Sequence, residues 1–193
     1  MPGADLRKIG IYGGTFDPIH HGHLILAREA FEQLQLEKVI FVPAAVSPFK
    51  DGPAAPAELR LRMLRAALEG EQDFVIDECD LRRPAPSYAF ETVQTIRPRE
   101  GEAAFYYLVG EDNVEGLSRW HRFAELQKLV QFVVLDRSGT VSDHPYLTVQ
   151  RKIDISATEI RKRVALGRSI RYLVPTLVED IIRQGNLYRK HGK

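Results

Sequence analysis

The sequence has a single cysteine, no long apolar run and almost no net charge. Cys79 has no second cysteine to pair with, which excludes an internal disulfide and favours a reducing compartment. We expect it to be a small buried residue, because its neighbours offer no reactive context. No stretch approaches the roughly 18 consecutive apolar residues of a membrane span, and the N-terminal MPGADLRK lacks an apolar signal core. These absences predict a cytoplasmic protein without a membrane partner.

The charge balance and the length limit the class of protein further. Lysine and arginine number 27 against 26 acidic residues, a net charge of +1, so no overall field attracts nucleic acid and any anion site must be local. A chain of 193 residues with 44% hydrophobic residues can bury a substantial core in one domain. We expect a single domain over residues 1–193, with residues 155–193 as a helical portion at its C-terminal end.

Short apolar segments alternate with segments of helical spacing along most of the chain. The pattern predicts strands at 8–12, 38–42, 74–77, 104–109 and 131–135, and helices at 21–35, 57–68, 88–96, 123–129, 157–166 and 176–184. Residues 138–146 read as a polar loop. Ser87 and Ser156 are expected to cap the helices that follow them, with Glu159 completing a capping box. The alternation predicts an α/β fold with a doubly wound, mainly parallel sheet, which binds ligands beyond the carboxyl ends of its strands.

The turn after the first predicted strand carries an unusual set of residues, in the stretch IYGGTFDPIHHGHLILAREAFEQL. Gly13 and Gly14 allow a sharp turn and a close approach to a ligand. The helix that follows presents free amides and its dipole to the same place, which favours an anion. His20 and His23 are three residues apart and can donate to phosphate oxygens, and Gly22 between them leaves room for a ligand or another backbone.

Other interpretations of this turn remain open on the residues alone. The glycine spacing does not match the dinucleotide motif GxGxxG, and no GK[ST] follows to make a P-loop. A metal pair at His20 and His23 lacks a third ligand at useful spacing, so no metal-binding residue is predicted. An ordinary turn with a solvated His21 is the simplest alternative.

The string GGTFDPIHHGH resembles the signature of the nucleotidylyltransferases, whose HxGH lies at the start of the first helix. Over residues 9–188 the chain is similar to the bacterial nicotinate-mononucleotide adenylyltransferases of NAD synthesis. The resemblance implies a Rossmann-like fold and the joining of ATP to nicotinate mononucleotide, with Mg²⁺ accompanying ATP. It further implies that ATP meets the first motif at Gly13, Gly14, Thr15, Phe16, His20 and His23, and that Thr15 also meets the mononucleotide.

Two later segments resemble the parts of this family that bind the mononucleotide. VPAAVSPFK, residues 42–50, is similar to the family's VPxxxPxxK element, which implies that Lys50 meets phosphate groups. PAPSYAFETVQ is similar to the family's SYT helix start, which implies contacts of Ser87, Tyr88 and Ala89 with the pyridine ring and its carboxylate. Ala89 stands where threonine is usual, so a backbone donor survives there and a hydroxyl contact does not.

YYLVGEDNVEGLSRW resembles the family's GxD…W block. The resemblance places Gly110 and Asp112 at ATP, where a carboxylate accepts hydrogen bonds from ribose hydroxyls. It places Trp120 against the pyridine ring as a flat stacking surface. A tryptophan in the protein core is the alternative.

ISATEIRKRV resembles the family's ISSTxIR motif, with Ala157 in place of a common serine. The resemblance implies that Ile155, Ser156, Thr158 and Arg161 bind ATP, the arginine through its planar fork for phosphate oxygens. The alternative is a basic surface helix.

Together the motifs predict two helix starts that face one crevice, with ATP between them. The phosphate of the mononucleotide would attack the α-phosphorus directly, and His20, His23, Lys50 and Arg161 would supply catalysis by alignment and charge stabilisation. Rival predictions are another phosphorylated acceptor, such as nicotinamide mononucleotide or phosphopantetheine, and a non-catalytic nucleotide sensor. Oligomeric state leaves no signal in the sequence.

Overall fold

The computed structural model describes residues 6–46, 54–139 and 143–189. The strands of this part of the chain are β1 (Lys8–Gly14), β2 (Lys38–Pro43), β3 (Phe74–Ile76), β4 (Ala104–Gly110), β5 (Gln131–Asp136) and β6 (Leu147–Gln150). The helices are α1 (His21–Leu34), α2 (Ala57–Ala67), α3 (Cys79–Arg82), α4 (Ala89–Glu100), α5 (Phe123–Leu129), α6 (Ala157–Ala165) and α7 (Thr176–Gln184), with a 3₁₀ helix at Glu111–Arg119.

The strands form one parallel sheet in the order β3-β2-β1-β4-β5-β6. The chain starts in the middle: Ile11 of β1 pairs with Ile40 on one side and with Tyr107 on the other. The order therefore reverses between β1 and β4, and their carboxyl ends splay apart into a crevice that is the usual ligand site of such sheets. This topology confirms the predicted doubly wound parallel sheet.

Each face of the sheet has its own hydrophobic core, because successive strand residues point to opposite sides. Val39 and Phe41 join the core covered by α1, α2, α6 and α7, whereas Ile40 and Val42 join the core covered by α4 and α5. Helix α7 belongs to the first core through Val178, Ile181 and Ile182. The C-terminal helices therefore pack against the same layer of apolar side chains as the sheet.

Some local predictions were wrong. Ser87 does not cap α4: its hydroxyl accepts a hydrogen bond from the Ala45 amide at 3.0 Å, and Tyr88 is the N-cap residue. Ser156 does cap α6, accepting from the Glu159 amide at 3.1 Å. The Glu159 carboxylate, however, pairs with Arg163 on the next turn, which removes it from the predicted capping box.

Strand β6 follows the predicted polar loop, but the sequence did not indicate it. It is an edge strand in which only Val149 is buried, so it lacks the apolar run that identified the others.

Cys79 is buried as expected, and burial together with Asp80 raises the pKa of its thiol to about 12. No helix among the described residues is both long and apolar enough to cross a membrane.

Candidate active site

Two adjoining cavities occupy the crevice at the carboxyl ends of β1 and β4. The histidine cavity, about 330 Å³, contains His20, His23 and the start of α6. The tryptophan cavity, about 130 Å³, contains Trp120 and the start of α4. The residues that line both are Gly13, Gly14, Thr15, Gly110 and Asn113. These shared residues define a junction at which ligands in the two cavities would meet.

The two histidines form a reciprocal cap at the start of α1. His20 is the N-cap residue; its Nδ1 accepts a hydrogen bond from the His23 amide at 3.4 Å, and the His23 Nδ1 accepts from the His20 amide at 3.3 Å. The rings stack with centroids 3.7 Å apart. Because each Nδ1 serves as an acceptor, the neutral form of each ring carries its proton on Nε2. The cap thus fixes which ring nitrogen is the donor.

Burial governs the charge of His20. Only 4% of the residue is exposed, and desolvation lowers its pKa to about 3, with the charges of Arg137 and His21 acting in the same direction. The side chain is therefore a neutral hydrogen-bond donor at neutral pH. It can donate to an anion through its Nε2–H.

Gly22 lets the start of α1 approach the segment that precedes α6. A Cβ atom at this position would lie 3.0 Å from the His20 Nδ1 and 3.4 Å from the carbonyl oxygen of Ile155. The first distance is shorter than most Cβ contacts, so a side chain here would displace the imidazole. The sequence predicted room for another backbone at Gly22, and the structure places that of Ile155 there.

The start of α6 completes the histidine cavity, where Ile155, Ser156, Thr158 and Arg161 line the wall. The Arg161 Nη1 donates to the carbonyl oxygen of Asp17 at 2.7 Å, and its Nη2 donates to the Thr158 hydroxyl at 3.3 Å. The guanidinium is thereby fixed beside the loop that leads to His20. The two helix starts predicted to converge do share one cavity.

The loop between β1 and α1 is anchored through Asp17. Its carboxylate accepts hydrogen bonds from the Tyr188 hydroxyl at 2.5 Å and from the Ala54 amide at 2.6 Å. Phe16, the preceding residue, has a positive φ of 47°, and its ring packs edge-on against that of His23 with centroids 5.3 Å apart. Phe16 therefore packs against the His23 ring while it lines the cavity.

The opposite wall of the histidine cavity comes from the end of β4 and the 3₁₀ helix. Gly110 lies at the junction of the two cavities, and Asp112 lines the histidine cavity. A Cβ atom on Gly110 would lie 2.6 Å from the Asp112 Oδ1, so a glycine is needed for this carboxylate to hold its place. Asp112 also accepts a hydrogen bond from the Asn113 Nδ2 at 3.2 Å.

Aromatic rings and a helix start line the tryptophan cavity. Ser87, Tyr88, Ala89 and Trp120 all lie there, as the sequence predicted for one binding site. The half-buried Trp120 lines the cavity and also packs edge-on against Tyr107 of the core at 5.9 Å, so both interpretations of this residue describe part of its environment. Tyr88 makes no side-chain cap hydrogen bond, which leaves the first amides of α4 to an incoming acceptor.

A polar network forms part of the lining of the tryptophan cavity. The Asp80 Oδ1 accepts hydrogen bonds from the Thr92 hydroxyl at 2.7 Å and from Arg83. Burial raises the pKa of Asp80, and the hydrogen bond from Thr92 and the charge of Arg83 oppose that rise. This network ties α3 to α4.

Sequence reasoning missed several lining residues: Asp80, Asn113, His121 and Arg137. Arg137 was within reach of the rule that polar residues at the carboxyl ends of parallel strands line the site, because it directly follows β5. Its Nη1 donates to the Ile155 carbonyl oxygen at 3.2 Å. No local pattern pointed to Asp80. Lys50, expected at the phosphates, lies outside the described residues.

A divalent cation has no acidic cage in the described part of the chain. No group of three or more His, Cys, Asp or Glu side chains there is arranged to hold a metal ion. These residues do not fit a protein-held Mg²⁺.

Comparisons with known proteins agree on one family. The cytidylyltransferase-like family model matches residues 11–163. The chain is 43% identical over 192 residues to the "Probable nicotinate-nucleotide adenylyltransferase" of Exiguobacterium sibiricum, covering 94% of this chain and 98% of that protein. It is 40% identical over 198 residues to the protein of the same name from Thermomicrobium roseum, covering 95% and 92%.

A solved structure shares the fold. The Plasmodium falciparum nicotinic acid mononucleotide adenylyltransferase, complexed with NaAD, superposes with a TM-score of 0.79 at 19% identity, covering 94% of this chain and 97% of that one. At this identity the likeness establishes only a shared fold. The assignment to a family rests on the more similar sequence relatives.

Proposed function

The chain belongs to the cytidylyltransferase-like family, and we propose that it joins ATP and nicotinate mononucleotide to give deamido-NAD and pyrophosphate in NAD biosynthesis. Relatives that are 40–43% identical over nearly the whole chain bear the name of this activity. The observation that carries the proposal is the junction of the two cavities, where a ligand in each would bring its phosphate to Gly13, Gly14 and Thr15.

ATP fits the histidine cavity because this cavity offers donors for several phosphate oxygens. His20 and His23 supply ring N–H groups, the start of α6 supplies amides, and Arg161 supplies a guanidinium. A helix N-terminus favours an anion through its free amides and its dipole. Asp112, on the opposite wall, suits a ribose hydroxyl donor.

Nicotinate mononucleotide fits the tryptophan cavity. Trp120 and Tyr88 offer flat faces for a pyridine ring. The uncapped amides at the start of α4 suit the pyridine carboxylate, since a helix N-terminus accepts an anion. In this orientation the phosphate points toward the shared glycines and meets the α-phosphate of ATP.

The reaction is a direct displacement at the α-phosphorus. An oxygen of the mononucleotide phosphate forms a bond to the α-phosphorus, the bond from that phosphorus to the bridging oxygen breaks, and pyrophosphate leaves. His20, which is neutral, and His23 donate to oxygens that gain charge, and Arg161 and Lys50 hold the flanking phosphates. Such transfers depend on alignment and charge stabilisation and need no covalent intermediate.

Mg²⁺ enters with ATP as part of the substrate. Phosphate oxygens and water satisfy its octahedral preference without a dedicated protein cage. When bound it neutralises charge on the phosphates, while the residues of the chain position them.

The test is pyrophosphate release with ATP, Mg²⁺ and one acceptor at a time: nicotinate mononucleotide, nicotinamide mononucleotide or phosphopantetheine. We expect release with nicotinate mononucleotide, accompanied by deamido-NAD detected by mass spectrometry. Release with nicotinamide mononucleotide or phosphopantetheine in preference would assign a different acceptor. ATP binding without release for any acceptor would indicate a nucleotide sensor and contradict the proposal.

A further inference from the structure

Among the residues that the structure describes, Arg60 of α2 is the largest fully buried side chain, with 0% of the residue exposed. Its guanidinium donates four hydrogen bonds, all to backbone carbonyl oxygens. The acceptors are Thr15 and Ala44, both bonded to Nη1 at 2.7 and 2.8 Å, Ala45, bonded to Nη2 at 3.1 Å, and Ala55, bonded to Nε at 3.2 Å. A buried cation thus joins segments that are far apart in the sequence.

Two of these acceptors belong to the walls of the cavities. Thr15 follows β1 and lines both cavities, and Ala44 follows β2 and lines the tryptophan cavity. One nitrogen of Arg60 therefore bridges the loops at the carboxyl ends of two adjacent strands. A further hydrogen bond, from the Ala44 amide to the Gly14 carbonyl oxygen at 2.9 Å, joins the ends of the same two strands.

The backbone that follows β1 has a strained conformation that surrounding contacts must stabilise. Phe16 is a non-glycine residue with a φ of 47°, a conformation that persists only where the surroundings impose it. Arg60 binds the carbonyl oxygen on one side of Phe16, at Thr15, and Arg161 binds the one on the other side, at Asp17. The two arginines thus fix both flanks of the strained residue.

Arg60 is a costly residue if its only task is packing. Burying a guanidinium carries a large desolvation penalty, and apolar residues of similar volume often stabilise a core as well or better. Burial lowers the pKa of Arg60, and the charge of Asp17 opposes this effect. The contribution of Arg60 therefore lies in the backbone segments that its hydrogen bonds hold in place.

We propose that Arg60 is a positioning residue for the transfer reaction. It fixes the backbone at Thr15 and Ala44 so that the phosphate of the mononucleotide and the α-phosphate of ATP are aligned at the junction. The inference rests on the proposed function and adds to it a residue that touches neither substrate. Its effect should therefore fall on turnover more than on the binding of either substrate, because misplacement by about 1 Å can cost about 10²-fold in rate.

The test compares Arg60→Lys with Arg62→Lys, a matched change at an exposed arginine of the same helix. Steady-state pyrophosphate release gives kcat and the KM for ATP and for nicotinate mononucleotide. We expect Arg60→Lys to lower kcat by about 10-fold to 100-fold, with both KM values changed by less than about threefold. Arg62→Lys should leave all three unchanged. A kcat for Arg60→Lys within twofold of that of the unmodified protein would overturn the proposal.

Folding must be separated from positioning in the same experiment. Circular dichroism and thermal melting report whether Arg60→Lys and a second variant, Arg60→Gln, are folded at the assay temperature. A folded variant with a lower Tm and unchanged kcat would assign Arg60 to stability alone, and failure of both variants to fold would assign it to folding; either result rejects the proposal. If the unmodified protein and Arg62→Lys release no pyrophosphate, the proposed function fails instead.

Discussion

The imidazole rings of His20 and His23 stack at 3.7 Å, and each accepts a hydrogen bond from the other residue's backbone amide. A helix N-cap is usually a short polar side chain whose only task is to satisfy the first amides. Here the capping groups also line the histidine cavity. Each side chain therefore has a structural role through Nδ1, and we propose that each has a chemical role through Nε2.

These two roles can be separated at His20. A serine at this position can cap the helix but is too short to reach a substrate. An alanine can neither cap the helix nor reach a substrate. We expect His20→Ser and His20→Ala both to lower kcat by about 10²-fold or more, the scale of losing one transition-state donor. Only the alanine variant should also lose about 1 kcal/mol of unfolding free energy. Near-normal turnover of either variant would reject the catalytic role.

The buried state of His20 predicts a pH dependence of stability. Its pKa is about 3 in the folded protein against the ordinary histidine value of 6.5, so between these values the unfolded chain binds a proton that the folded chain does not. The contribution of neutral His20 to the unfolding free energy is fully present above about pH 6.5. It decreases as the pH falls toward 3, by up to about 1.4 kcal/mol per pH unit. Urea unfolding of the unmodified protein and His20→Ser from pH 4.5 to 7.5 checks this. A free-energy difference between them that is independent of pH would contradict it.

Gly22→Ala should damage the site although alanine favours a helix by about 1 kcal/mol. The new Cβ would lie 3.0 Å from the His20 Nδ1 and displace the ring. We expect kcat to fall by about 10-fold or more, in line with the sensitivity of such reactions to geometry. Gly116→Ala is the control, because its Cβ would meet only the Arg119 Nη2, at 3.7 Å. Equal turnover in the two variants would show that the close approach at Gly22 is unimportant.

Intrinsic tryptophan fluorescence can report binding to the tryptophan cavity, because Trp120 is the only tryptophan of the chain. Stacking of a pyridine ring on the indole should change its fluorescence during titration with nicotinate mononucleotide. ATP, placed in the other cavity, should change it little. Replacement by leucine, which removes the aromatic face, should raise the KM for the mononucleotide by about 3-fold to 10-fold, the scale of an aromatic pair. A larger fluorescence response to ATP would reverse the assignment of the cavities.

Tyr188→Phe removes the hydroxyl that donates to the Asp17 carboxylate at 2.5 Å. Hydrogen bonds to charged groups contribute about 1.5–3 kcal/mol, so we expect a loss of that order in the unfolding free energy. Tyr172→Phe is the matched control, since Tyr172 is 79% exposed. Equal midpoints of chemical denaturation for the two variants would show that the contact with Asp17 contributes nothing.

The sheet was predictable because its strands are buried on both faces and read as apolar runs. Strands β1, β2, β4 and β5 all have such runs. Strand β6 does not, because it lies at the edge and buries only Val149. Ser87 shows a second limit: a serine before a helix suggests a cap, yet its hydroxyl binds a distant loop at Ala45.

The site was predictable where its residues lie close together in sequence. His20 and His23 belong to one helical turn, and Ser156 and Arg161 belong to another. Contacts between distant segments left no local sign, and Arg60 is the clearest case. Within α2 it looks like any surface arginine, and only the fold brings the Thr15 and Ala44 carbonyl groups to it.

The bond between Asp17 and Tyr188 joins positions 171 residues apart. During synthesis, the loop that carries Phe16 and leads to His20 emerges from the ribosome with the first helix, but its anchor, Tyr188, is synthesised only 171 residues after Asp17. A nascent chain can therefore assemble most of the sheet while this loop still lacks its final tether.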